Sequence, residues 1–297
     1  NVAPTSTTAV ESVSGSGDAN DGDVFTVTLD PSEAVGTPTC TFTDTSGAME
    51  DTSVEYGTVS TDSHTAAVTV HDSDADGAVG FSCTYSDLAG NAIASAITAA
   101  SSGDIDIDNT HPSISSVTFA SGDYVNAVED NSAIDLVITM SDASANGQVA
   151  TATLNSAGYT CTISSNACTA SITAAGLQGL TDGTTYTFSV AISDAAGNAA
   201  TANTAESFLY DVTAPSISNV VPSWGTHLNA AEDNADGTVT VTTLNAADSS
   251  TVTVTGMGVT DTCSTSSNSC AATVAGSDLR ALSDGTTYTI TVALSAD

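Results

Sequence analysis

The sequence predicts an all-β protein made of β-sandwich domains in a linear array. Three observations predict it: a self-similar period near one hundred residues, short alternating runs bounded by turn residues, and cysteines that fall two per period. The period is read from a junction that occurs twice, Asp108-Asn109-Thr110-His111-Pro112-Ser113-Ile114-Ser115 and Asp211-Val212-Thr213-Ala214-Pro215-Ser216-Ile217-Ser218, with the prolines 103 residues apart. A fragment of it, Asn1-Val2-Ala3-Pro4, opens the chain. Such a period exceeds a solenoid repeat and matches one whole sandwich.

The domains follow in order: 1–108, 109–211 and 212–297. The second and third are siblings. Asn126 to Asn131 overlays Asn229 to Asn234 with a shift of 103, and Leu180 to Thr187 overlays Leu282 to Thr289 with a shift of 102. The first keeps Asp87-Leu88-Ala89-Gly90-Asn91, the match of Asp194-Ala195-Ala196-Gly197-Asn198, but has a different middle. Strands are expected at Phe25–Leu29, Leu136–Met140 and Tyr186–Val190, where apolar residues alternate with polar ones, and a helical turn at Ala174–Leu180. A third junction is due near residue 318, 21 residues past Asp297, so domain three as written lacks the counterpart of the strand Ser207–Tyr210. The plain expectation is a segment of a longer array; the alternative is a strand donated by another chain.

Aromatics make up only 5% of the chain, so each core is small and built from Val, Ile, Leu and Ala. No apolar run approaches the ~20 residues that cross a bilayer as a helix. Charge is more telling. Against 35 acids stands one strong base, Arg280, for a formal net charge of −34. Clustered carboxylates must then be solvated, screened or neutralised by metal, and nucleic acid and anionic membranes are excluded as partners. Only seven of the acids are Glu; the preponderance of Asp suits turns and tight oxygen-ligand loops, as well as plain solubility.

Cys161 and Cys168 flank a polar hexapeptide, as do Cys263 and Cys270, and both read as hairpins closed across a turn. Cys40 and Cys83 lie in two strand-like pieces that can be neighbours. The four histidines share no spacing with them, so three disulfides and an oxidising compartment are expected rather than zinc.

Three acidic sets recur near domain ends. In Asp104-Ile105-Asp106-Ile107-Asp108 a period of two puts three carboxylates on one face, where like charges repel unless a divalent cation joins them. The second set is Glu129-Asp130 and Glu232-Asp233, with Asp21-Gly22-Asp23 at the corresponding place in domain one. The third is the Asp-x-x-Gly-Asn turn at Asp87/Asn91 and Asp194/Asn198, a sequence that also forms a metal-free Asx turn. With Asp211, these residues are the candidate calcium ligands, expected to converge where one domain abuts the next. Asp72-Ser73-Asp74-Ala75-Asp76-Gly77 has the first half of an EF-hand loop, but Cys83 holds its twelfth position, and a solvated hairpin turn is expected.

The Asp-x-x-Ala-Pro junction, the Asn-Ala-x-Glu loop, Leu-Thr-Asp-Gly-Thr-Thr-Tyr and Asp-Ala-Ala-Gly-Asn resemble the tandem bacterial Ig-like repeats of large surface adhesins. The resemblance spans essentially the whole chain, closely in domains two and three. It implies tandem Ig-like β-sandwiches, a stalk or filament at the cell surface, and calcium at linkers through Asp108, Asp211, Glu129, Glu232, Asp87 and Asp194. The junction Asp106-Ile107-Asp108-Asn109 also resembles cadherin linkers. Paired cysteines depart from calcium-dependent adhesins exported by type I secretion and favour Sec-type export.

No nucleophile elbow, zincin motif or phosphate loop is present, and Trp224 is expected to pack locally or between domains. The reading is a non-catalytic extracellular spacer whose partners are neighbouring repeats or identical subunits, with any cell-surface or glycan ligand bound by other domains. The alternatives are a filament or S-layer subunit completed by a donated strand, and an accessory region of a secreted hydrolase.

Overall fold

A computed structural model describes residues 3–15, 17–200 and 206–295, without the side chains of residues 6–8. Asn1 and Val2 of the opening junction fragment, and Asp297, lie outside the described residues. The chain forms two compact units, Asn1–Tyr210 and Asp211–Asp297.

The first unit carries two sandwiches in succession. The strands of the first are β1 (Ser6–Val13), β2 (Val24–Pro31), β3 (Thr39–Thr43), β4 (Glu55–Ser60), β5 (Ser63–Thr69), β6 (Gly77–Ala78), β7 (Gly80–Thr84) and β8 (Asp106–Ile107). They form an antiparallel sheet β1-β2-β5-β4 and the pairs β3-β7 and β6-β8. The predicted alternation is visible in β2, whose Phe25, Val27 and Leu29 are fully buried while the threonines between them are partly open. Across the core stand Phe42 of β3 and Phe81 of β7, with Phe25 meeting Phe42 edge to face at 5.9 Å.

The second sandwich has β9 (Ile114–Phe119), β10 (Tyr124–Val125), β11 (Ile134–Met140), β12 (Val149–Leu154), β13 (Ala157–Thr162), β14 (Ala167–Ile172), helix α1 (Ala174–Gln178), β15 (Thr184–Thr187), β16 (Ser189–Ala191) and β17 (Ser207–Tyr210). Its sheets are β14-β11-β9, β13-β12-β16 and β10-β17-β15. The expected helical turn is α1, capped by the Thr173 hydroxyl, which accepts from the Gly176 N–H, and anchored by fully buried Leu177. The single strand expected at Tyr186–Val190 is corrected: the chain changes sheets at Phe188. Thr184–Thr187 pairs with β17, whereas Ser189–Ala191 pairs with β12. Phe188 is 1% exposed, packs against Phe119 and Phe208, and donates its N–H to Glu206.

The second unit has β18 (Ser216–Pro222), β19 (Gly237–Leu244), β20 (Thr251–Gly256), β21 (Val259–Ser264), β22 (Ser269–Val274), helix α2 (Gly276–Arg280) and β23 (Thr291–Leu294). Sheets β18-β19-β22 and β21-β20-β23 enclose Val239, Val241, Val252, Val254, Ala272 and Val274. Trp224 packs locally here, over Gly237, where a Cβ would stand 2.4 Å from its ring.

All three expected disulfides are present. Cys40 and Cys83 face each other in register on β3 and β7. The hairpin reading of the other two is corrected. β13 pairs with β12 and β14 with β11, so Cys161–Cys168 ties opposite sheets, as does Cys263–Cys270 between β21 and β22. Only the bridge Ser164↔Ala167 joins β13 to β14, across a turn whose Ser165 and Asn166 have φ of 52° and 66°.

Candidate functional site

The junction at Asp108 is built by long-range pairing within the first unit. Ala19 forms a parallel bridge with Ile107: the Ala19 N–H donates to Asp106, and the Asp108 N–H donates back to Ala19. Ile107 is buried while Asp104 and Asp106 face outward, so the period of two does place the acids on one side. Glu11 lies beside them, and its carboxyl is held above the usual carboxylate range by burial and by Asp104 and Asp106, against the Ile105 N–H.

From the other side the turn Asp194–Asn198 seats on the same segment. Asn198 Nδ2 donates to the Asp108 carbonyl at 2.6 Å, and His111 Nδ1 donates to the Ala199 carbonyl at 2.7 Å. The approach needs glycine twice. A Cβ on Gly17, at φ +89°, would stand 3.1 Å from the Ala195 carbonyl, and one on Gly197, at φ +106°, 3.1 Å from the Asn20 amide nitrogen.

Below the junction, Asp76 accepts from the Asn109 N–H at 2.7 Å and from the Thr110 hydroxyl, while Asn109 Nδ2 donates to the carbonyls of His71 and Asp74. The turn at Asp72–Gly77 is solvated at Asp72, Ser73 and Asp76, as expected, but it closes no hairpin, since β6 pairs with β8 rather than β5. Asp74 is its buried residue, 4% exposed, and accepts from the Glu50 and His71 N–H groups.

The Asp108 carboxyl is raised above its ordinary range by burial and by the facing charges of Asp194, Asp76 and Asp18, opposed by the Thr110 N–H. The side-chain oxygen of Asn109 is buried without a hydrogen-bond partner. Among the described residues, no three His, Cys, Asp or Glu side chains gather closely enough to hold a metal ion. The donor chemistry nevertheless suits a hard cation that takes six to eight oxygens. Asp18, Asp108 and the Asn109 amide oxygen have lone pairs to offer, whereas Asp76 and Asp194 already accept hydrogen bonds on both carboxylate oxygens.

The other predicted residues divide. Asp87 forms an Asx turn: Oδ1 accepts from the Ala89 and Asn91 N–H groups and Oδ2 from Asn91 Nδ2, which hold its carboxyl below the usual range. Asp194/Asn198 is bonded in the same way, and its Asn also reaches Asp108. Glu129 and Glu232 accept from the backbone N–H groups of Asn126 and Asn229, closing capping loops. Asp130, 8% exposed, takes the Tyr210 hydroxyl at 2.7 Å, and the phenol is pushed up to about 12 by burial and this carboxylate. Asp211 accepts from the Thr213 N–H, and Asp233 lends its carbonyl to Arg280, 3.0 Å away. Asp108 and Asp194 thus face each other, while Asp130 sits beside Tyr210. Sequence reasoning missed Asp18 and Asp76 as junction residues, and placed Asn109 in the junction without making it a candidate ligand; the one signal for the missed pair is that Asp76 belongs to the acidic loop already noted.

The fold and junction define a class: tandem Ig-like β-sandwiches. Residues 108–209 match the family model described as a bacterial Ig-like domain, so the resemblance read from the motifs holds over that stretch. No curated protein matches the chain. Among solved structures, a Ca2+-stabilised adhesin that helps an Antarctic bacterium reach out and bind ice is 22% identical, with a TM-score of 0.43, covering 98% of this chain and 74% of its own. A structure from a 1.5-MDa bacterial ice-binding adhesin is 20% identical at a TM-score of 0.39, covering 97% and 96%. The titin fragment I67–I69 is 13% identical at 0.40, covering 93% and 89%.

Proposed function

We propose that this chain is a non-catalytic extracellular spacer: Ig-like domains at 1–108, 109–211 and 212–297, joined by linkers that calcium stiffens. The observation that carries this reading is the Asp108 junction. Four carboxylates interact there, one of them raised by burial and by its neighbours, beside a buried amide oxygen with no partner. Asp108, Asp18 and Asn109 would hold the ion, which supplies positive charge that no basic side chain brings; Arg280, the only Lys or Arg, is committed to Asp233 in the second unit. The three disulfides support export to an oxidising compartment, in keeping with a Sec route and a cell-surface site. Its partners are neighbouring repeats or identical subunits, with adhesion itself left to other domains.

Small-angle scattering with calcium and with chelator tests the reading. Calcium narrows the distribution of maximum dimensions in the wild type and leaves Asp108→Asn unchanged. Identical wild-type profiles in calcium and chelator would rule the calcium brace out.

A further inference from the structure

In the second sandwich β13 pairs with β12 on one side, and among the described residues its other side has no partner. The two-residue turn Asn155–Ser156, at φ of 46° and 67°, sets the alternation of this ladder. Ala157, Tyr159 and Cys161 turn their N–H and C=O groups to β12, and Ile163 continues the phase by donating to Gln148, so the main-chain groups of Gly158, Thr160 and Thr162 point away. All three residues are exposed. The bond Cys161–Cys168 fastens the strand to the opposite sheet, so this edge is in place before anything binds to it.

Other edges carry guards. The Tyr56 hydroxyl takes the outward Cys40 N–H of β3 at 2.9 Å, β4 bears exposed Glu55, and Glu206 takes the Phe119 N–H of β9 at 3.2 Å. On β21, the sibling of β13 in the second unit, Asp261 stands where β13 has Tyr159. A carboxylate on an edge discourages strand pairing, and β13 has none. The exception is wider than one strand: no residue between Asp142 and Asp182 is charged, so β12, β13 and β14, the edge of the facing sheet, are all neutral. The counterpart stretch of the second unit holds Asp248, Asp261, Asp278 and Arg280. With a net charge of −34, two copies of the chain repel wherever their carboxylates face each other; at this edge they bring none.

We propose that two copies of this chain pair through β13, antiparallel about a two-fold axis at Thr160, and so join the sheet β13-β12-β16 of each into one. In that register Thr160 faces Thr160 of the second copy and Gly158 faces Thr162, and each facing pair exchanges both of its main-chain hydrogen bonds. The contact is self-complementary. It rests on the spacer reading for the kind of partner alone, an identical subunit; calcium plays no part in it, so it is tested in chelator, where failure of the calcium brace leaves the outcome unaffected.

Sedimentation equilibrium of the full chain over a range of concentrations, with hydrogen exchange in parallel, reads the pairing. Expected are a reversible dimer, exchange slowed at Gly158, Thr160 and Thr162 as concentration rises, and tighter association in higher salt, which screens the remaining acids. Thr160→Asp sets like charges face to face and weakens the dimer by about tenfold or more, as does Thr160→Pro, which removes an outward N–H that β12 does not use. Position 160 is exposed, and unchanged circular dichroism of the dilute variants shows that their fold is kept. A monomer at every concentration, a dimer that both variants leave as tight as before, or protection at β4 or β21 in place of β13 overturns the proposal.

Discussion

Removing one oxygen from Tyr210 tests how β17 is held. The hydroxyl donates to Asp130 Oδ2 at 2.7 Å, with the tyrosine 3% and the aspartate 8% exposed. Tyr210→Phe leaves a buried carboxylate oxygen without this donor, a loss of about 1.5 to 3 kcal/mol, or roughly a 10- to 150-fold rise in opening of the strand. At neutral pH this is read as faster hydrogen exchange at Ser207–Tyr210 and at its partner Thr184–Thr187. An alkaline arm supplies an independent magnitude. The folded phenol is raised from 10.0 to about 12, so its contribution is complete below pH 10, where both folded and unfolded tyrosine are neutral. Above pH 10 the unfolded chain loses the proton first, and stability falls until the folded phenol also ionises near pH 12. Two units at about 1.36 kcal/mol each give a loss of about 2.7 kcal/mol in the wild type that Tyr210→Phe does not share. Urea unfolding between pH 9 and 12 should therefore show the two proteins converging. Parallel curves, or an exchange rate unchanged by the substitution, would refute the reasoning.

Two further outcomes are expected. Serine at both Cys161 and Cys168 costs about 2.4 kcal/mol, and serine at both Cys40 and Cys83 about 4 kcal/mol, because the second pair closes the longer loop; urea midpoints without reductant rank them, and a reversed order contradicts the loop-entropy account. Asp44, buried and held below its usual range chiefly by the Ala75 N–H, stabilises domain one above the unfolded carboxylate range and loses that contribution as pH falls through its folded value. Asp44→Asn flattens the acid limb of domain-one unfolding, followed by circular dichroism; superimposable acid curves would remove this carboxylate from the account.

What the sequence disclosed follows from the range of the forces involved. The alternation at Phe25–Leu29 and the turn at Ala174–Gln178 are local signals, and both appear where they were read. At Tyr186–Val190 the same alternation conceals a change of sheet, since both sheets face one core and a period of two is indifferent to which of them a residue joins. The disulfide pairs were legible from spacing, but not that two of them join opposite sheets, which depends on the pairing of β13 with β12 and of β14 with β11. Asp108 and Asp194 announced themselves by phase in the repeat. Asp18 and Asp76 did not, because pairings such as Ala19 with Ile107 and Asn109 with Asp76 bring them in from distant parts of the sequence. Glu129 and Glu232 recur for a local reason as well: each reaches back three residues to close its own loop.

A covalent loop also sets how far a domain can lengthen. Cys40–Cys83 spans 43 residues, and at about 3.4 Å per residue some 145 Å of chain stays out of reach when the first repeat is pulled open from its ends. The loops of the other two span seven residues each and withhold only about 24 Å. Under load the first repeat pays out only the part of its contour that lies outside this loop, while its siblings, once unravelled, pay out almost the whole of theirs.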